Sequence, residues 1–198
     1  MLKNFDQNQN YYKFYKRKNI PIVFIHGVGL DHEMWFPQVR SFKYNSILVY
    51  DLLGHGKTPL RKKTVKFEDF SNQLNDLLKY LNINKINLVG FSFGSLIAMQ
   101  LLMRRPEINR FIVISPQPNV YDFSFLSPCP TSGLMIYGKK DELVPVEHIK
   151  ELEKRLSAQK GIKVEFQSVA EANHFFSKNE NMLTKCLDKY IKKETALY

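Results

Sequence analysis

The sequence predicts an α/β fold in which a largely parallel sheet is covered by helices on both faces. Short apolar runs of strand character alternate along the chain with segments of helical spacing, the pattern of strands joined by crossover helices. Ile20-Pro21-Ile22-Val23-Phe24-Ile25 is apolar throughout, as a strand buried on both faces must be. From Ile86 to Met99, an apolar run ends at Gly90, a serine follows between two glycines, and a small-and-apolar helical pattern starts at once. That stretch reads strand, sharp turn, helix, and the rest of the chain is organised around it.

Taken in order, Tyr11 to Lys18 reads as one short edge strand. The Ile20–Ile25 strand ends in His26-Gly27-Val28-Gly29, and glycines at a strand end leave backbone N–H groups free to bind. A helical segment falls within His32 to Phe42 and carries Trp35. Ser46 to Tyr50 is a strand that closes at Asp51, followed by Leu52-Leu53-Gly54-His55-Gly56-Lys57-Thr58. Phe67, Phe70, Leu74, Leu77, Leu78 and Leu81 have the spacing of an amphipathic helix. The helix after Ser92 runs to about Arg105, where Pro106 stops it. Phe111 to Ile114, Leu134 to Tyr137 and Val164 to Val169 are strands, and Val146 to Leu156 and Asn181 to Ile191 are helices.

Composition bounds the function. With 198 residues, 44% of them hydrophobic, the chain reads as a single domain, 1–198, with a full core. The first 18 residues lack the continuous apolar run of a signal peptide, and no later run reaches membrane-spanning length, so the expectation is a cytoplasmic protein without a membrane span. Cys129 and Cys186 lack ligand spacing, so no metal site or other cofactor is implied. A formal charge of +10 is compatible with nucleic acid, anionic membrane or an acidic partner. The lysines, however, are scattered and no nucleic-acid module accompanies them, so no nucleic-acid partner is expected and Arg61-Lys62-Lys63 and Lys192-Lys193 read as solvated surface.

Gly90-Phe91-Ser92-Phe93-Gly94 fits the GxSxG nucleophile elbow, although a serine in a glycine turn can also be a plain helix cap. With His26-Gly27, Asp51 and Gly54-His55-Gly56, an aspartate after a late strand and a histidine near the end, the chain resembles the α/β-hydrolases over nearly its whole length. The resemblance implies nucleophile, acid and base in that order. Leu134 to Pro145 resembles the segment that delivers the acid, with Asp141 in the loop, and Glu171 to Phe176 the one that delivers the base, His174. In this reading His174 accepts the Ser92 proton, Asp141 orients the imidazole, and the backbone N–H groups of Val28 and Phe93 hold the oxyanion. Trp35 and Phe91 are candidates for the substrate pocket.

Alternatives stay open at this point. Asp141 could cap a helix or form a turn, with Glu142 or Asp122 as the acid instead. His26 and His55 read as loop-shaping residues, and His32 and His148 as ordinary surface or helix residues. Many members of the fold insert a helical cap before the acid, but Pro116 to Ser132 is too short for one and reads as an irregular crossing. The opening hairpin must also be reduced. The first half resembles capped esterases and the region after Phe123 small uncapped bacterial hydrolases, so neither supplies a substrate. The expected function is a serine hydrolase cleaving carboxylic esters or thioesters through an acyl-enzyme. Two alternatives are an esterase for acyl-carrier-bound esters steered by the basic surface, and a non-catalytic ligand-binding protein. Oligomeric state cannot be read from the sequence.

Overall fold

The structure, a computed structural model, describes residues 4–108 and 110–195. The single-domain reading over 1–198 includes residues 1–3, 109 and 196–198, which lie outside the described residues. Among the described residues seven strands form one sheet: β1 (Tyr12–Tyr15), β2 (Ile22–Ile25), β3 (Ile47–Tyr50), β4 (Asn87–Phe91), β5 (Arg110–Ile114), β6 (Gly133–Gly138) and β7 (Val164–Val169). Their spatial order is β1-β3-β2-β4-β5-β6-β7. β1 pairs antiparallel with β3, Tyr12 opposite Tyr50, and the other neighbours pair parallel. At this edge of the sheet β1 is preceded by an isolated antiparallel bridge between Phe5 and Tyr11.

Side chains alternate between two cores, as the period of two in a strand requires. Val23, Ile25, Leu48, Tyr50, Leu88, Phe111, Val113 and Met135 enter one core, under α2 (Phe67–Tyr80), α3 (Phe93–Leu102) and α4 (Val146–Ser157). Ile22, Phe24, Ile47, Val49, Val89, Phe91, Ile112, Ile114, Leu134 and Ile136 enter the other, under α1 (Phe36–Ser41) and α5 (Glu180–Thr195). A strand with both faces filled has no polar side to show, which is why the runs read as continuously apolar. α2 begins where Lys66 N–H donates to Asp69 Oδ2 at 3.0 Å. α4 buries Ile149, Leu152 and Leu156, a stripe at helical spacing. α3 is buried nearly all round, because it lies between the sheet and α2. Among the described residues no helix is long and apolar enough to cross a membrane.

The connection between β5 and β6 holds only a three-residue 3-10 turn, Ser124–Leu126, so no cap is inserted there. The chain moves outward from β2 to β3 and then crosses back to β4 on the other side of β2. Ligands of open parallel sheets bind outside the carboxyl ends of the strands at such a reversal. The loops leaving β2 and β4 there begin with His26 and Ser92.

Candidate active site

Ser92 joins β4 to α3 with φ +53° and ψ −116°, a strained conformation for a residue with a side chain. Neighbours impose it. Ser92 N–H donates to Ile114 O at 2.8 Å, and Ser95 Oγ bonds the carbonyls of Gly90 (3.0 Å) and Ile114 (3.1 Å), tying the turn to β5. The flanking glycines permit the close passage: a Cβ on Gly90 would collide with the Gly94 carbonyl, and one on Gly94 with the Ile25 and His26 carbonyls. The Ser92 side chain makes no capping bond to α3, which separates it from the helix-cap reading.

The hydroxyl points instead at His174. Ser92 Oγ lies 3.0 Å from His174 Nε2, and His174 Nδ1–H donates to Asp141 Oδ2 at 2.8 Å. The imidazole and the carboxylate are both nearly fully buried. Asp141 Oδ1 also accepts from Leu143 N–H (2.9 Å) and Val144 N–H (3.0 Å), so the residue makes the turn that was its alternative reading and orients the imidazole as well. The loops after β6 and β7 are locked together by Lys139 N–H to Val169 O (2.9 Å) and Lys140 N–H to Ala172 O (3.0 Å). Glu142 reaches only the His174 backbone N–H, at 3.4 Å. Asp122 lies apart, in a cleft of about 120 Å³ lined by Tyr121, His148, Glu151 and Arg155, and accepts from Ser124 N–H and Oγ–H. Neither alternative acid reaches the His174 ring.

Val28 stands in an exposed turn after β2 that is pressed against the serine: a Cβ on Gly27 would lie 3.3 Å from Ser92 Cβ. Phe93 is the first residue of α3, and an N–H at a helix start has no acceptor within the helix. His26 fixes the Val28 turn. Leu52 N–H, an obligate donor, bonds His26 Nε2 at 2.9 Å, so the ring proton sits on Nδ1 and faces Gly27 O at 2.8 Å. Burial, with the His55 ring 5.4 Å away adding repulsion, lowers the His26 pKa to about 4. The unfolded chain protonates this imidazole near its ordinary 6.5, so between pH 6.5 and 4 the unfolded state binds more protons and stability rises with pH. Acidifying across that window is expected to cost about 3 kcal/mol from this group. Urea midpoints measured at half-unit steps check it: a His26→Asn variant should lose much of the slope above pH 4.

Two pocket candidates are corrected. Trp35 is only 1% exposed and packs on Phe24, with ring centroids 4.9 Å apart, so the aromatic side chain is core. Phe91 is equally buried because β4 directs it into the core under α1 and α5, where it supports the His174 ring at 5.5 Å. The aromatic contacts around the elbow come instead from Phe93, packed against Phe67, Phe70 and Tyr121, and from Phe175, half exposed beside His174.

Three features escaped the sequence reading. His32, expected as an ordinary surface or helix residue, is buried and its Nδ1–H donates to the buried Asp51 at 2.7 Å. Asp51 also accepts from His32 N–H and Lys57 N–H, so with its oxygens occupied it braces the loops after β2 and β3. Asp31, His32 and Asp51 are close enough to suggest a metal site, but the imidazole proton and the two amides already take both Asp51 oxygens, and Asp31 Oδ1 accepts from Glu33 N–H. Ser115, at φ +47°, donates from Oγ to His174 O at 2.7 Å and so holds the base loop. Gln117 Oε1 also lies 3.0 Å from Ser92 Oγ, a second acceptor within reach of the one hydroxyl proton. Asp51 stood in a recognised motif, but no periodicity or motif marks its pairing with His32 or the roles of Ser115 and Gln117, since each acts through a partner distant in sequence.

Comparison with known proteins bears on the fold. An uncharacterised protein of Rickettsia prowazekii is 45% identical over 108 residues, 52% of this chain and 45% of the relative. An (E)-2-((N-methylformamido)methylene)succinate hydrolase of Acinetobacter baylyi is 32% identical over 102 residues, 51% of this chain and 39% of the relative. The chain thus matches less than half the length of these curated relatives. The crystal structure of a protein of unknown function from Agrobacterium tumefaciens superposes with a TM-score of 0.82 at 30% identity, over 94% of this chain and 92% of that one. The family model for the alpha/beta hydrolase fold matches residues 20–133, a span that includes Val28 and Ser92 and ends before Asp141 and His174. With more than half its length in that model and the structural match running through the remainder, the chain belongs to the alpha/beta hydrolase fold family.

Proposed function

We propose that this protein is a serine hydrolase that cleaves carboxylic esters or thioesters through an acyl-enzyme on Ser92. The observation that carries the reading is the unbroken hydrogen-bonded chain from Ser92 Oγ through His174 to the buried Asp141, with the serine on a strained elbow. A serine hydroxyl is a weak nucleophile near neutral pH. His174 Nε2 accepts its proton as Oγ attacks the acyl carbon, and Asp141 keeps the other ring proton on Nδ1 and stabilises the imidazolium. Negative charge collects on the substrate oxygen, where the Val28 and Phe93 N–H groups and the positive end of α3 oppose it. The tetrahedral intermediate collapses, the leaving group takes the proton from Nε2, and water repeats the sequence on the acyl-enzyme.

Exposed Val28, Val120, Leu143 and Phe175 come from loops that follow β2, β5, β6 and β7, and Asn119 Nδ2–H bonds Leu143 O at 2.9 Å across two of them. An apolar rim on an uncapped site suits medium acyl chains rather than small charged acids. Turnover of p-nitrophenyl esters from acetate to decanoate, with the matching thioesters, tests the reading: saturable hydrolysis rising with chain length supports it, and no hydrolysis of any member by folded protein rejects it. The charge of +10 favours a second reading, in which the acyl group arrives on an acidic carrier protein. Under that reading added salt lowers the rate on the carrier-bound substrate steeply and leaves that on p-nitrophenyl butyrate unchanged.

A further inference from the structure

From the two acceptors that flank Ser92 Oγ, we infer that Gln117 positions the water that releases the acyl group, an inference that rests on the proposed acyl-enzyme reading. His174 Nε2 and Gln117 Oε1 each lie 3.0 Å from Oγ. A serine hydroxyl brings one proton to a place with two acceptors. Attack needs that proton on Nε2, so the amide is superfluous to acylation and competes with it. Water brings two protons. Once Oγ is acylated it has none to donate, and a water in front of the acyl carbon can give one hydrogen bond to Nε2 and the other to Oε1, which turns a lone pair toward the carbon.

Gln117 is held for this task. It follows Ser115 and Pro116 at the end of β5, where Ser115 N–H bonds Ile136 O (2.8 Å) and Ser115 Oγ–H bonds His174 O (2.7 Å). The Gln117 carbonyl accepts from Val120 N–H (3.1 Å) and Tyr121 N–H (2.9 Å), which closes the next turn. The backbone is therefore fixed on both sides of the side chain, against the same loop that carries the base. In the step, the water oxygen bonds the acyl carbon as Nε2 takes one of its protons. The Oγ–carbon bond then breaks, Nε2 returns that proton to Oγ, and the acid leaves with the proton that Oε1 had held in place.

The test separates the two half-reactions. Wild type, Gln117→Met and Gln117→Glu are mixed with p-nitrophenyl butyrate; nitrophenolate release is followed by stopped flow and acyl-Ser92 by quenched intact mass, each protein at its pH plateau. Methionine keeps the volume and removes the acceptor, whereas glutamate keeps an acceptor and has no donor. For Gln117→Met, acylation should stay within about twofold while deacylation slows about tenfold, so that acyl-Ser92 accumulates. Gln117→Glu should deacylate within about threefold of wild type, as no donor-based role of the amide would allow. Unchanged deacylation in Gln117→Met, equal slowing of both steps, or a glutamate variant as slow as the methionine one overturns the inference alone. A folded wild type that never carries acyl on Ser92 overturns the functional reading and this inference with it.

Discussion

Asp141→Asn is expected to lower kcat/KM on p-nitrophenyl esters by about 10³–10⁴, and Ser92→Ala by about 10⁴ or more, with both proteins folded. The asparagine variant is the more informative. It retains an oxygen for the Leu143 and Val144 N–H groups that Asp141 Oδ1 accepts, so the turn after β6 survives. Toward His174 it can present an NH₂ in place of Oδ2, which forces the ring proton onto Nε2, where it cannot accept from Ser92. The loss is therefore one of tautomer and charge rather than of fold. Glu142→Gln and Asp122→Asn should remain within about twofold, because neither side chain reaches the His174 ring. Circular dichroism alongside steady-state kinetics checks both halves; a Glu142 or Asp122 variant as impaired as Asp141→Asn would reassign the acid.

Gly94→Val should destabilise the protein by about 3 kcal/mol or more, a fall in Tm of roughly 6–12 °C, or prevent folding. The cause is contact with backbone. A Cβ at this position meets the carbonyls of Ile25 and His26 (2.7 Å for the latter), and neither can move without dislodging β2 from α3. Gly29→Ala is the counterpart. Gly29 has φ +75° with nothing within 4 Å of an added Cβ, so alanine meets only conformational strain, about 1 kcal/mol. Thermal unfolding of the pair checks the contrast. Equal, small shifts would mean that the close approach of β2 and α3 does not constrain the elbow.

The order of elements was legible because every strand buried on two faces must be apolar at each residue, and every covering helix must show a stripe. The expected Val164–Val169 strand and the helix starts at Phe67 and Val146 coincide with β7, α2 and α4. Expected ends differ where hydrogen bonding rather than side-chain character decides: β6 extends to Gly133 and Gly138, which pair with β7 although neither has a side chain to register as apolar. The helical segment around Trp35 splits into a 3-10 turn, His32–Trp35, and α1, with Pro37 near the start of the latter. At the site, motif order placed Ser92, Asp141 and His174 in loops after β4, β6 and β7, and the structure brings their side chains into hydrogen-bond contact. Residue type misled at Trp35 and Phe91, because an aromatic near an elbow can face core or cleft and only the strand register chooses. It was silent at Gln117 and Ser115 and on the pairing of His32 with Asp51. Each of these meets its partner only after the sheet has brought separate loops to one edge.

The most direct measurement is labelling of the purified, folded protein with a fluorophosphonate, read by intact mass and peptide mapping beside Ser92→Ala and His174→Ala. Activation of a serine by a neighbouring imidazole predicts one adduct, on Ser92, absent from the first variant and slowed by orders of magnitude in the second. Folded wild type with no adduct, or with its adduct on another residue, would contradict the account.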